Sequence, residues 1–289
     1  MATILVTGGA GRLGANTAYG LRERGHLVRV MDVEAADFSP FEEQEGFEVL
    51  KGDIRDADFL RKSAEGCSAV FHLAAILPPV SERDRVLTMS VNVEGTKVVI
   101  DACRHAGSIP LIFSSSVSTY GDTSKEQPPI TTDHRQRALN FYPESKITAE
   151  KLVKEAGIPY TILRIAGIAV PAFLDPPDPW PFTPEQRVEF VALNDLVTAL
   201  VNLVDNKVAV GKTYNLGGGK SWQVLGREYA RRYCETLDIS FESQRFYETP
   251  GWLDWYDTTE SQAVLNYQNT SFDRFHEMLR SAMESALGE

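Results

Sequence analysis

The feature that most constrains the fold is a regular alternation of short apolar runs with helical patterns over the first two thirds of the chain. Six apolar runs predict strands at residues 4–7, 27–31, 47–50, 69–73, 110–114 and 160–164. Helical patterns lie between them at 11–24, 56–65, 83–105 and 142–156. Strands that alternate with helices pair in parallel through right-handed crossovers. We therefore predict an α/β fold with a Rossmann-like, doubly wound parallel sheet.

The pattern changes after residue 165. Residues 171–184 include six prolines, too many for a helix or a central strand. This segment is either a connector or a lid over a site. A helix at 194–204, a strand at 213–216 and two terminal helices complete the pattern. We predict a core at 1–165 and a small C-terminal substrate-binding subdomain at 166–289, partly interleaved with the core.

Composition and charge exclude several classes of partner. The net charge is −11 with no cluster of basic residues, which argues against nucleic acid. Cys67, Cys103 and Cys234 are far apart, so they predict neither a metal site nor a disulfide framework. No apolar run approaches the roughly 18 residues of a membrane span, and the first strand leaves no room for a secretion signal. We expect a cytoplasmic protein without metal, membrane or nucleic-acid partners.

A glycine-rich turn, TGGAGRLG at residues 7–14, joins the first strand to the first helix. Glycines let the backbone approach a pyrophosphate, and the free amides of the helix start attract its charge. Asp32 ends the second strand, 18 residues after Gly14. There it can bind an adenosine ribose and repel a 2′-phosphate, which favours NAD over NADP. The alternative is an aspartate that only caps a surface loop.

A tyrosine and a lysine, Tyr142 and Lys146, share one face of a predicted helix. The pKa of a phenol lies about three units above neutrality, which corresponds to roughly 4 kcal/mol. One ammonium about 4 Å away at an effective dielectric near 20 supplies roughly that energy. The pair can thus act as a general acid/base. This spacing is common on helix surfaces, but here it follows a strand ending in Ser114, Ser115 and Ser116, where open sheets bind ligands.

Taken together and in order, the motifs resemble those of extended short-chain dehydrogenases/reductases of the NAD-dependent epimerase/dehydratase family. The matching pieces are the turn at 7–14, Asp32, Gly52-Asp53-Ile54, His72-Leu73-Ala74-Ala75, the NVEGT run at 92–96, Ser114-Ser115-Ser116 with Tyr120-Gly121, Tyr142 and Lys146, Leu163-Arg164, and Asp195. The resemblance implies an NAD-dependent enzyme with a small-molecule substrate.

The resemblance also assigns roles to residues of this sequence. It implies that Ser116 hydrogen-bonds the substrate oxygen, that Tyr142 exchanges its proton, and that Lys146 holds the nicotinamide ribose and lowers the tyrosine pKa. These three are the predicted catalytic residues. The predicted cofactor-binding residues are Gly8, Gly11, Arg12, Leu13, Asp32, Asp53, Ile54, Leu73, Ala74, Ala75, Ser114, Tyr142, Lys146 and Ile165. The predicted substrate residues are Ile76, Ser116, Val117, Gly167 and Arg187.

Departures from the family pattern narrow the reaction. Val117 and Ser118 stand where dehydratases of the family carry Asp-Glu, and Gly167 replaces an asparagine that touches substrate in nucleotide-sugar enzymes. The segment from there to Phe190 is also short. We expect oxidation or reduction of a small polar secondary alcohol, such as a sugar acid or hydroxy acid. Arg187 would hold its carboxylate or else form an ion pair within the protein.

Two other functions stay open from the sequence. One is epimerisation of a nucleotide sugar, which the Ser116-Val117-Ser118 run does not exclude. The other is a dinucleotide-sensing protein that has the fold without the catalysis, although such proteins commonly lose the tyrosine or lysine.

The resemblance further implies a homodimer. In the family, two long helices, here at 83–106 and 142–156, pair across a two-fold axis. The apolar residues predicted for this interface are Val91, Val98, Ala102, Ile147 and Leu152.

Overall fold

A computed structural model describes residues 1–172 and 175–288. Its main sheet has seven strands, all parallel, in the order β10-β6-β5-β4-β1-β2-β3. They are β1 (Thr3–Thr7), β2 (Leu27–Asp32), β3 (Phe47–Lys51), β4 (Ala69–His72), β5 (Leu111–Ser116), β6 (Tyr160–Ile165) and β10 (Lys212–Leu216). The six predicted strands are all present, and the predicted doubly wound fold is confirmed.

The last strand of this sheet comes from beyond residue 165. β10 pairs with β6, with Tyr214 opposite Leu163. Four shorter strands form two separate pairs, β7 with β9 and β8 with β11. They are β7 (Gly167–Ala169), β8 (Arg187–Val188), β9 (Phe190–Ala192) and β11 (Val224–Leu225). The division of the chain at residue 165 stays a prediction, since one strand of the second region completes the sheet of the first.

Helices cover both faces of the sheet and form most of the C-terminal region. They are α1 (Arg12–Glu23), α2 (Ala57–Ala64), α3 (Arg85–Met89), α4 (Gly95–His105), α5 (Phe141–Glu155), α6 (Leu193–Val201), α7 (Gly226–Leu237), α8 (Thr259–Leu265) and α9 (Phe272–Leu287). In the described part of the chain, no helix has the length and apolar character needed to cross a membrane.

The prediction of a single helix at 83–105 is wrong in one respect. A π-helical turn, Ser90–Glu94, separates α3 from α4. Such turns interrupt the regular hydrogen-bond ladder and are frequent at functional sites. Here the turn contains Asn92, whose buried side chain bonds elements outside its own helix.

Apolar side chains pack on both faces of the sheet, as parallel strands require. Ile4 and Val6 face one cluster, whereas Leu5 faces the other. A third cluster lies under α7 and α9 and includes Trp180 and Phe182.

The lid suggested for 171–184 includes positions 173 and 174, which lie outside the described residues. Trp180 and Phe182 are 2% and 0% exposed. The Trp180 amide donates to the Arg245 carbonyl at 2.8 Å, and the Tyr247 amide donates to the Phe182 carbonyl at 3.2 Å. These two residues are therefore packed against the rest of the protein, and the choice between a connector and a lid for 171–184 stays a prediction. Both aromatic residues are members of the third cluster.

Candidate active site

The glycine-rich turn is shaped by close contact between backbones. Gly8 has φ +68°, and a Cβ there would collide with the backbone of Leu73 and Ala74. A Cβ on Gly14 would collide with the Gly8 carbonyl. Only glycine fits these two positions. Gly11 precedes α1 without a side-chain cap, so the first amides of that helix are available to an anion.

A cleft of about 530 Å³ opens over this turn at the carboxyl ends of β1, β2 and β4. The structure brings to its walls ten of the residues predicted to bind the cofactor: Gly8, Gly11, Arg12, Leu13, Asp32, Asp53, Ile54, Leu73, Ala74 and Ala75. Ile76, predicted to touch substrate, lines the same cleft, and Ile168 borders it from β7. The cleft is therefore an elongated site that combines a glycine turn with two carboxylates.

The two carboxylates of the cleft have different surroundings. Asp32 accepts hydrogen bonds from the amides of Ala10, at 3.1 Å, and Val33, at 2.9 Å. Asp53 forms an ion pair with Arg55 at 2.5 Å. The hydrogen bond from Arg55 lowers the pKa of Asp53, although partial burial opposes this. Asp53 therefore carries a negative charge that Arg55 largely neutralises, whereas the described hydrogen-bond partners of Asp32 are backbone amides.

The three predicted catalytic residues meet at the carboxyl end of β5. Ser116 is the last residue of that strand, and its Oγ accepts from the amide and hydroxyl of Ser118, at 3.1 and 2.9 Å. Tyr142 lies in the first turn of α5, within reach of a hydrogen bond with Ser116. Lys146 is one turn further along the helix and only 2% exposed. Its Nζ donates to the Ser114 carbonyl at 2.8 Å and lies 5.7 Å from the centre of the Tyr142 ring.

The electrostatics of this trio differ from the sequence-based argument. Burial raises the pKa of Tyr142, and its hydrogen bond with Ser116 only partly opposes the rise. Burial also lowers the pKa of Lys146 to about 7, with Glu150 opposing. The predicted lowering of the tyrosine pKa by Lys146 is therefore wrong for the ligand-free protein. The reason is that the ammonium is desolvated, directed to a backbone carbonyl and only partly charged at neutral pH.

A buried hydrogen-bond network connects the cleft to the catalytic helix. Asn92, in the π-helical turn, accepts from the Ile76 amide at 2.7 Å and donates to the Ile76 carbonyl at 3.1 Å. It also donates to Ser145 Oγ at 3.0 Å, and that hydroxyl donates to the Tyr142 carbonyl at 2.7 Å. The side chain of Asn92 thereby fixes the cleft wall at Ile76 relative to the backbone of Tyr142.

His72 supports the glycine turn from below. Its Nδ1 lies 2.7 Å from Thr7 Oγ1 and its Nε2 lies 3.0 Å from Thr96 Oγ1. Burial lowers its pKa to about 3, so the ring is neutral and each nitrogen has one hydroxyl partner. This arrangement makes His72 a structural link between β1, β4 and α4.

Sequence reasoning missed Glu82, which caps the catalytic helix. Its Oε2 accepts from the Phe141 amide at 2.9 Å and its Oε1 accepts from the Tyr142 amide at 3.0 Å. Asn140, the residue that precedes the helix, makes no side-chain cap. No local signal could reveal this contact, because Glu82 and Tyr142 are 60 positions apart in the sequence.

Three predicted substrate residues are arranged differently from expectation. The Val117 side chain is fully buried in the core, so it does not line the cleft. A side chain on Gly167 would collide with the Phe190 ring, which explains the glycine by packing. Arg187 forms an ion pair with Asp254 at 2.5 Å and also donates to the carbonyls of Thr123 and Glu126. The alternative of an internal ion pair is therefore the one that forms.

Two residues predicted to bind the cofactor are set back from the cleft. Ser114 is 8% exposed and donates through Oγ to the His72 carbonyl at 3.0 Å. Ile165 is 7% exposed and packs in the core beneath the sheet end. Contact of either residue with a cofactor stays a prediction.

Comparison with known proteins defines the class. Residues 4–173 match the model of the NAD dependent epimerase/dehydratase family, so the chain belongs to that family. This confirms the resemblance found in the motifs.

Particular relatives match only part of the chain. It is 36% identical over 156 residues to 3 beta-hydroxysteroid dehydrogenase/Delta 5-->4-isomerase of Mycobacterium tuberculosis, covering 52% of this chain and 41% of that protein. It is 33% identical over 165 residues to D-erythronate dehydrogenase of Cupriavidus necator, covering 53% and 48%. The match thus spans less than half the length of these curated relatives.

Solved structures resemble the whole chain. UDP-glucose 4-epimerase of Thermotoga maritima superposes with a TM-score of 0.84 at 19% identity, covering 99% of both chains. A short-chain dehydrogenase/reductase superfamily protein of Agrobacterium tumefaciens, solved with bound NAD, superposes with a TM-score of 0.81 at 23% identity, covering 99% of this chain and 98% of that one. At these identities the likeness establishes the fold.

The cleft fits the cofactor that defines the family. The glycines at positions 8 and 14 allow a pyrophosphate to approach the backbone, and the start of α1 presents free amides to it. The Asp32 carboxylate suits a ribose with a free 2′-hydroxyl. The structure therefore agrees with the prediction of NAD as the cofactor.

Proposed function

We propose that this protein is an NAD-dependent oxidoreductase that interconverts a secondary alcohol and its ketone. The observation that carries the proposal is the meeting of Ser116, Tyr142 and Lys146 at the end of β5. That strand lies beside β4, whose continuation at Ala74 and Ala75 lines the dinucleotide cleft. A proton-transfer group is thereby adjacent to the site that fits NAD.

Ser116, Tyr142 and Lys146 have different roles in proton transfer. NAD, when bound, supplies the group that accepts or returns a hydride. Ser116 holds the substrate oxygen, and its existing bonds from Ser118 orient its hydroxyl. Because burial raises the pKa of Tyr142, the phenol holds its proton and is ready to give it to a developing alkoxide during ketone reduction. In the oxidative direction the phenolate must form first, so Lys146 stabilises that charge.

The substrate is the least constrained part of the proposal. The sequence suggested a small sugar acid or hydroxy acid with Arg187 as its carboxylate ligand. That anchor is engaged by Asp254, so support for an acid is reduced to the likeness with D-erythronate dehydrogenase. The likeness to a hydroxysteroid dehydrogenase suggests an apolar ring instead. Both relatives are named as dehydrogenases, and this favours net oxidation over the alternative, epimerisation.

The test measures NADH formation at 340 nm with purified protein, NAD and a panel of sugar acids, polyols, ring alcohols and nucleotide sugars. We expect NADH from at least one secondary alcohol. Tyr142→Phe should lose at least a hundredfold in kcat while its affinity for NAD is unchanged. Tyr247→Phe, which alters an exposed tyrosine, is the matched control. Conversion of a nucleotide sugar to its epimer without net NADH would establish the epimerase instead.

We further propose that the protein is a homodimer assembled through α4 and α5. Val98, Ile147 and Leu152 are half-buried on these helices in the single chain, so part of each side chain is available to a partner. Ala102 is 1% exposed and belongs to the core, so its predicted place in the interface is wrong. Light scattering at micromolar concentration should give twice the mass of one chain, and a monomer would contradict the proposal.

A further inference from the structure

A second cavity, of about 230 Å³, lies next to the dinucleotide cleft. Arg12 and Ile168 line both spaces, so the two meet at these residues. An engineered cavity of about 150 Å³ in another protein accepts benzene. The volume here is therefore sufficient for a larger ring. Its position beside the cleft means that a ligand in it would be next to a bound cofactor.

The walls of this cavity are mainly aromatic. They include Trp180, Phe182, Phe190, Tyr229, Tyr233 and Phe275. Tyr229 stacks on Phe190 with ring centres 4.5 Å apart, and it meets Trp180 and Phe182 edge to face. These contacts hold the rings in place, so the described aromatic part of the wall is fixed. Two charged side chains also line it, Arg12 where the cavity meets the cleft, and Asp175.

One hydroxyl in this wall is not used by the protein. Tyr229 is 5% exposed, and its Oη has no hydrogen-bond partner among the residues that the structure describes. A pocket with mainly apolar walls and a few polar groups, here the Tyr229 hydroxyl with Arg12 and Asp175, is typical of small-molecule sites in which the polar groups orient the ligand.

We infer that this aromatic cavity binds the apolar ring portion of the substrate, with Tyr229 hydrogen-bonding an oxygen at its far end. This inference rests on the proposed function and defines its substrate class as a ring-bearing secondary alcohol. A sugar acid or polyol suits the cavity poorly, because most of its hydroxyls would lose water against aromatic walls. An apolar ring gains from leaving water and from contact with the aromatic walls.

The first test measures binding alone. The NAD-loaded Tyr142→Phe variant is titrated by calorimetry with trans-2-decalol, myo-inositol and D-erythronate, so that turnover does not interfere. We expect decalol to bind at least tenfold more tightly than either polar probe. Val170→Trp, at a half-buried residue of the cavity wall, should weaken decalol binding at least tenfold. Val208→Trp, at an exposed site, is the matched control and should have no effect.

Equal affinity for decalol and either polar probe would overturn the inference, as would equal decalol binding in the Val170→Trp and Val208→Trp proteins. If Val170→Trp fails to fold, Tyr229→Phe supplies an independent test. With 6-hydroxy-2-decalone, which has a second oxygen, Tyr229→Phe should lower affinity at least fivefold relative to Tyr247→Phe. An unchanged affinity for 6-hydroxy-2-decalone would show that Tyr229 does not hydrogen-bond the second oxygen of the ligand.

Hydride transfer is then measured separately in the wild-type protein. NADH formation from bound decalol supports both proposals. Binding of decalol that depends on Val170, without NADH from any alcohol in the panel, would refute the proposed function and leave the cavity assignment standing. NADH formation from a sugar acid, in a protein that does not bind decalol, would support the proposed function and refute the cavity assignment.

Discussion

Lys146 should destabilise the fold at neutral pH, and this gives a quantitative prediction. Burial lowers its pKa in the folded protein to about 7, whereas the ordinary value in an unfolded chain is about 10.4. Between these values the unfolded state binds one more proton than the folded state. The free energy of unfolding should therefore rise with pH by up to about 1.4 kcal/mol per unit from this residue. Integration from pH 7 to pH 9 gives about 2 kcal/mol.

The assay is urea unfolding of ligand-free protein at pH 7, 8 and 9. Wild-type stability minus that of Lys146→Met should increase by about 2 kcal/mol across this range. Loss of the hydrogen bond to the Ser114 carbonyl lowers the free energy of unfolding of the variant by the same amount at every pH. It therefore does not affect the difference in slope against pH. Lys151→Met, on the exposed side of the same helix, should retain the wild-type slope. Parallel pH profiles for wild type and Lys146→Met would refute the reasoning, because Lys146 would then have the same pKa folded and unfolded.

Three further predictions address the cofactor site, the catalytic helix and the core. Asp32→Ser should raise the affinity for NADP relative to NAD at least tenfold, because a carboxylate no longer faces the 2′-phosphate; an unchanged ratio by calorimetry would argue against this role. Glu82→Ala should reduce kcat severalfold and stability by about 1–2 kcal/mol, because two amides lose their cap, and the exposed control Glu155→Ala should change neither. Glu150→Ala should cost about 3–5 kcal/mol in urea unfolding, because it leaves the buried Arg164 guanidinium without its counter-ion. A loss below about 1 kcal/mol would show that Arg164 finds another partner.

The sequence could predict elements whose causes are local. The glycine turn and the strands each depend on residues close together in the chain. Predicted strand limits therefore differ from the observed ones by at most two residues, as at β5, predicted at 110–114 and found at Leu111–Ser116. The Tyr142 and Lys146 spacing likewise specifies one helix face.

Features created by tertiary contact were beyond such reasoning. The cap from Glu82 to Tyr142 and the ion pair from Arg187 to Asp254 join residues 60 and 67 positions apart. The predicted effect of Lys146 on the Tyr142 pKa depended on tertiary contacts in the same way. Helical spacing places Lys146 near the tyrosine, but only the folded structure shows how far it is removed from water.

The path of the chain through the sheet has a consequence for biosynthesis. β6 ends at Ile165 and its outer neighbour β10 begins at Lys212, so translation must continue well beyond Tyr142 and Lys146 before the sheet is complete. Until then, β6 is an open edge with unpaired amides and carbonyls, of the kind that recruits strands from other molecules. A nascent or truncated chain that stops near residue 165 should therefore be prone to self-association. The C-terminal region protects the nucleotide-binding half of the molecule as well as shaping its second cavity.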